Sequence, residues 1–285
     1  MSRRLNLAFP IVRENLTAHD AFRDYLYYLE DEAVSGVPFE LKLAQGLIRG
    51  YSAGTKFGRN EDVGTATTPE DVWHGGGTYT GQPASYTPET VEVFSADAAD
   101  TSAGTGARTV RIFGLKTTSS TEYESEDLTL NGVTAVTSAS TWWRINRVYV
   151  LTAGSGGVNA GDITCRATTT TTNIFARMAA GYNQTKIAAY TVPAGNMMII
   201  KRLRVSIVRL TGADGSATVT VRARESGGVY RSIRVFEVQT GAISIVDSYA
   251  GTELPAGTDV KFTVERVSDN STVAEANFEY ILVED

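Results

Sequence analysis

The chain has 285 residues, enough to bury a sizeable core in one to three domains. Charged residues make up 20% and apolar ones 42%, and 26 Lys plus Arg against 32 Asp plus Glu leave a net charge of −6. No basic excess exists to favour nucleic acid as a partner, and no apolar run approaches the roughly 20 residues of a membrane helix.

The 27 glycines, with frequent Thr and Ser, suit turns and strands better than helices. Cys165 is the only cysteine, so an intrachain disulfide and a cysteine metal site are both excluded. Its flanks read as strand, which makes it a small packed or half-exposed side chain. The N-terminus pairs Arg3 with Arg4 but lacks the apolar stretch of a signal peptide, which predicts a protein made and used without Sec export.

In chain order, residues 1–15 carry no periodic pattern and read as an extended arm. Residues 17–33 read as a helix, with Thr17 as N-cap and Phe22, Tyr25, Leu26 and Leu29 on one apolar face. Residues 39–49 fit either a strand or a short second helix, and Gly46 weakens the helix. Residues 50–86 read as a long glycine-rich connection, with Trp73 and Tyr79 anchoring it on the domain that follows.

From Thr87 the pattern becomes strands and turns. Strands are predicted at Val91–Phe94 and Arg108–Phe113, with an Asn131-Gly132 hairpin signal after them. Trp142–Thr152 and Asp162–Arg166 follow, and the β-branched run Thr168–Thr172 reads as strand or strand edge. Further strands are expected at Lys186–Val192, Met197–Leu210, Ala217–Ala223, Arg231–Val238, Ala242–Tyr249, Val260–Val267 and Ala274–Val283. This rhythm predicts a mainly β fold of two sandwich or jelly-roll-like domains, 87–184 and 185–285, behind an N-terminal arm and helix at 1–49.

A faint repeat supports two related units. Residues 144–167 and 201–223 both run from Arg-Val through alternating apolar residues and a glycine-rich turn to a strand ending Arg-Ala. Val192-Pro193-Ala194-Gly195 is echoed by Leu254-Pro255-Ala256-Gly257.

Two catalytic phrases are spelled within 50–79. Gly50-Tyr51-Ser52-Ala53-Gly54 matches a nucleophile elbow, and His74-Gly75-Gly76-Gly77 matches an oxyanion motif. Their order is the reverse of a hydrolase, no histidine follows His74, and the surroundings are not α/β. His19 and His74 therefore read as a surface residue and a loop residue. Asp97 with Asp100, and Glu122, Glu124, Glu126 and Asp127, read as solvated loop carboxylates without a calcium-loop register. No catalytic, cofactor or metal site is expected.

Trp142 and Trp143, as strand neighbours, are expected to point to opposite faces, one into the core and one toward a partner. The arginines at 202, 204, 209, 222, 224, 231 and 234 are expected to pair across strands or between subunits.

The phrase Lys56-Phe57-Gly58-Arg59-Asn60, followed by Pro69-Glu70-Asp71-Val72-Trp73-His74-Gly75-Gly76-Gly77-Thr78-Tyr79, resembles a segment common in structural proteins of tailed phages. Phrases at 96–108, 144–148 and 190–195 and the acidic end 281–285 continue the resemblance in order, while residues 1–44 depart from it. It implies a virion component, of a kind mostly without an assigned activity, and no position in the particle; the non-enzymatic reading comes from the residues themselves. The expected partners are other copies of the chain and virion proteins, the major capsid protein first, with no nucleic acid and no membrane. A capsid decoration protein is the first reading. A tail, neck or fibre-associated protein, receptor- or glycan-binding, is the second. Phe57, Arg59, Asn60, Trp73, Tyr79, Trp142 and Trp143 are the expected interface or structural residues.

Overall fold

The computed structural model describes residues 37–285, apart from residue 213 and the side chains of residues 247–251. The arm expected at 1–15 and the helix expected at 17–33 lie outside the described residues. The chain divides after Arg49 into two compact units.

The described part of the first unit contains one helix, α1 (Phe39–Ala44), which resolves the ambiguity of that stretch in favour of a helix. Gly46 ends it. With φ at +68° this residue takes the left-handed turn, and the amides of Gly46 and Leu47 donate to the carbonyls of Leu43 and Lys42.

The second unit, Gly50–Asp285, is mainly β and antiparallel. Two sheets enclose one core. The first runs β1 (Tyr51–Val63), β16 (Thr272–Glu284), β11 (Asn196–Arg209), β14 (Ile243–Leu254). The second runs β10 (Ala189–Thr191), β15 (Asp259–Val267), β12 (Ser216–Arg224), β13 (Arg231–Gln239), with β2 (Glu70–Asp71) also on β15. Phe262, Phe278, Tyr190 and Met198 fill the space between them.

Two more sheets enclose a second core around Trp142, Phe175, Ile112 and Ile163. Their orders are β6 (Val136–Trp142), β3 (Glu89–Ser95), β8 (Ile163–Ala167), β9 (Ile174–Met178) and β5 (Glu124–Thr129), β4 (Ala107–Leu115), β7 (Arg144–Ala153). Fully burying side chains of this size stabilises by about 1.5–3 kcal/mol each, so each cluster is a genuine core.

The two halves of the repeat play one role. β7 and β8 lie in opposite sheets of one sandwich, as β11 and β12 do in the other. The two Pro-Ala-Gly turns also meet, because the Val192 amide donates to the Thr258 carbonyl and the Gly257 amide to the Val192 carbonyl, both at 2.9 Å.

Several expectations are corrected. Residues 51–63 are not loop. They form β1, which pairs along its length with the last strand β16, so the C-terminal sandwich takes strands from both sides of the other one. Asn131-Gly132 makes a tight turn, but β5 and β6 on either side belong to different sheets and do not pair as a hairpin. Residues 168–172 are the turn between β8 and β9, where Thr168 caps the Thr90 carbonyl at 3.0 Å. Asp100 is not a solvated loop carboxylate. It is fully buried and accepts the amides of Ala107, Ala160 and Gly161 at 2.6, 2.8 and 2.9 Å, tying two loops together. Glu124, Glu126 and Asp127 lie on strand β5.

Candidate functional site

The segment from β1 to Tyr79 is held by buried polar groups. On β1 the inward positions are Lys56, Gly58, Asn60 and Val63. Asn60 donates to the Glu70 carboxylate at 3.0 Å and to the Asp71 carbonyl at 3.2 Å. Asp71 in turn receives the Lys261 ammonium, the Thr263 hydroxyl and the Tyr79 amide, all at 2.7 Å. Buried carboxylates are tolerated where every oxygen is paired, and this one is.

Trp73 and Tyr79 are both buried, with ring centroids 5.1 Å apart, edge to face. The Tyr79 hydroxyl donates to the Phe175 carbonyl at 2.8 Å and the Trp73 indole to the Gly77 carbonyl at 3.2 Å. Phe57 is half-buried under the Arg147 guanidinium, 5.5 Å from its ring centroid. Arg59 pairs across the strand with Glu275 and along it with Glu61, the latter at 2.8 Å. Against the upward push of burial, the Arg59 bond and charge hold the Glu61 carboxyl below its usual range.

Trp142 and Trp143 do not alternate along one strand. The chain bends at Trp143, passing from β6 in one sheet to β7 in another, and both indoles are buried in the monomer. Trp143 lies against the Arg144 guanidinium, 4.5 Å from its centre. The outward tryptophan expected from strand alternation is therefore absent. Of the expected interface residues, only Phe57 and Arg59 keep partial exposure.

The catalytic phrases are not assembled. Ser52 sits in extended β1 opposite Leu282, where an elbow needs a strand-to-helix turn. The His74 imidazole is enclosed. Its Nδ1 accepts the Ala179 amide at 3.3 Å, and its ring lies 4.8 Å from that of Tyr182. Burial, reinforced by Lys186, lowers its pKa to about 4. Cys165 is buried, and burial pushes its thiol upward, away from a reactive thiolate. Among the described residues no cluster of His, Cys, Asp and Glu is arranged to hold a metal ion.

Four of the arginines expected to pair do so within the chain: Arg222 with Glu265 at 2.6 Å, Arg224 with Asp259 at 2.6 Å, Arg202 with Glu279 at 3.4 Å and Arg209 with Asp269 at 3.5 Å.

What the sequence reading missed is an outward apolar patch. Val208, Leu210, Ile243 and Ile245 are 48%, 60%, 50% and 54% exposed. Ile243 faces Ser206 and Ile245 faces Arg204 across the β11–β14 ladder, so they share an outward face with Val208. Next along the sheet, Glu275 and Asn277 of β16 face Ser206 and Arg204, so the patch has a polar side. β14 is the outer strand of its sheet, so one row of backbone groups is left open beside the patch. The signal in the sequence is the adjacent pair Ile207-Val208: neighbours on a strand face opposite sides, so one of two apolar neighbours must leave the core.

No protein-family model matches the chain, and no curated protein matches it. Among solved structures, three of infectious bursal disease virus share 10–11% sequence identity with it. The structure of the Gt strain has a TM-score of 0.23, with 87% of this chain and 78% of that chain covered. The derived T=1 particles give 0.24 over 87% and 75%, and the VP2 subviral particle 0.23 over 87% and 78%, at 10% identity each. Scores this low carry no argument.

Proposed function

We propose that the chain is a non-enzymatic structural protein of a phage particle, which decorates or reinforces the capsid by packing against further copies of itself and against the capsid protein. The observation that carries the self-association is the patch of Val208, Leu210, Ile243 and Ile245 beside the open edge of β14. Apolar side chains grouped on one outward face, flanked by charged residues, have the anatomy of an interface core and rim. The ordered resemblance of residues 45–285 to tailed-phage structural proteins supports the virion. The two sandwiches, joined by the buried ion pair of Arg144 and Asp259, suit a part that bears load.

The test is copy number in purified particles, by quantitative mass spectrometry against the major capsid protein. Equality, or a simple fraction, is the expected result for a shell component. A handful of copies moves the protein to a vertex, neck or tail, and absence from particles overturns the reading.

A further inference from the structure

A groove of about 620 Å³ lies where β1 and β16 approach β4, β7 and the segment before β10. Its chemistry is distinctive in a protein of net charge −6: none of the lining residues is an acid. Phe113, Tyr149 and Tyr182 bring aromatic rings to its walls, Asn146 and Gln184 bring amides, and Arg147 brings the one lining cation.

Arg147 is well suited to receive an anion. Its guanidinium rests against Phe57, and no carboxylate among the described residues pairs with it. Behind it, buried Lys56 donates to the Asn146 carbonyl. Burial first, then the Arg147 charge, pushes the Lys56 ammonium well below its usual range. Glu61, which accepts the Tyr182 hydroxyl at 3.2 Å, is already neutralised by Arg59 at 2.8 Å. The Asn146 side-chain oxygen is enclosed and has no donor among the described residues.

We propose that this groove binds a carboxylate-bearing sugar. Arg147 takes the carboxylate, the aromatic walls take the apolar face of the pyranose, and the Asn183 and Gln184 amides take hydroxyls. A single guanidinium matches one carboxylate in a two-pronged bond. A nucleic acid strand calls for a track of cations, and the groove has no such track. Rings and amides around one cation fit a cyclic, polyhydroxylated acid better than an aliphatic peptide side chain. The proposal does not depend on the assembly reading, because the groove belongs to one copy of the chain.

The test is calorimetric titration of the full chain with oligosaccharides of galacturonate, glucuronate and sialate, each beside its methyl ester. The ester keeps the shape and removes the charge. The expected result is binding of at least one acid, with its ester about tenfold or more weaker, equivalent to about 1.4 kcal/mol. Arg147→Gln is expected to abolish that difference while the melting temperature holds, and Tyr182→Ala to weaken acid and ester alike. Should Arg147→Gln fail to fold, the acid–ester comparison on the unaltered protein decides alone. No binding of any of the three acids overturns the proposal. So do equal affinities for acid and ester, or tighter binding of a short peptide ending in aspartate.

Discussion

Asp259, at the start of β15, accepts two hydrogen bonds from Arg144, at the start of β7, at 3.0 and 3.1 Å, so that one buried ion pair joins the two sandwiches. The same carboxylate receives Arg224 and the Thr191 hydroxyl, both at 2.6 Å. Both guanidiniums also donate outward from the pair, Arg144 to the Pro83 carbonyl at 2.8 Å and Arg224 to the Gln82 carbonyl at 2.6 Å. The segment leading into the first sandwich is thereby pinned to the second. Asp259→Ala leaves two guanidiniums buried together without a counter-charge. The expected loss is about 3–5 kcal/mol. Urea unfolding at constant pH measures it, and a loss under about 1 kcal/mol shows that water or another acid replaces the carboxylate.

A second prediction concerns Gly58. A Cβ placed there stands 2.2 Å from the Ala188 nitrogen and 2.4 Å from the Val72 oxygen, atoms that are hydrogen-bonded to each other at 2.9 Å. Both are backbone atoms and have no rotamer to escape into. Gly58→Ala must push β1 away from this crossing and is expected to cost about 1–3 kcal/mol, with the folding midpoint in urea as readout. A neutral outcome means that β1 does not pass this close.

His74 gives the chain a pH dependence with a definite sign. Its folded pKa is lowered to about 4 from an ordinary 6.5. Between those values the unfolded chain binds a proton and the folded chain does not. The contribution is therefore whole above the unfolded pKa and is lost as pH falls toward the folded one. Glu61 at 3.6 Å and Asp162 favour the proton, Lys186 and Arg59 oppose it, and the Ala179 amide occupies Nδ1. Once solvent screening is allowed for, the loss is expected to reach about 2 kcal/mol. The check is the stability difference between the unaltered protein and His74→Gln, which should shrink from neutral pH to pH about 4.5. A difference that stays constant contradicts a buried neutral imidazole.

These positions show what the sequence disclosed and what it hid. β11 was legible because Met198, Ile200, Leu203, Val205 and Ile207 point inward, and even its bulge at Lys201 is written in the three-residue step from Ile200 to Leu203. β1 was not legible. Its inward residues include Lys56, Gly58 and Asn60, whose partners lie at Asn146, Ala188 and Asp71, so the apolar alternation that marks a strand is missing. The tryptophan pair misled for the converse reason. Strand-like text continues from Trp142 through Val150 with no glycine or proline to mark a break, while the chain changes sheets within it, at Trp143. Tyr79 and Trp73 were legible as anchors of their segment because large aromatics among glycines have little else to pack on. The groove was hidden, because its walls come from five separate strands and loops.

The outward patch makes the last prediction. Val208 and Ile243 share one face of the β11–β14 ladder beside the open edge of β14, and neither contributes to the enclosed core. Aspartate at both positions should leave the fold intact, since exposed sites of this kind change stability by only about 0.5 kcal/mol. It should nonetheless break self-association, because a buried unpaired charge at an interface costs several kcal/mol. The unaltered chain is expected to form a discrete oligomer by light scattering at micromolar concentration, and Val208→Asp/Ile243→Asp to run as a monomer with an unchanged melting temperature. If the double variant keeps the oligomer, the copies meet elsewhere, with the outer faces of Phe57 and Arg59 the next surface to alter. If the unaltered chain is itself monomeric at every concentration, the patch faces a different protein, and the capsid protein becomes the partner to titrate against it.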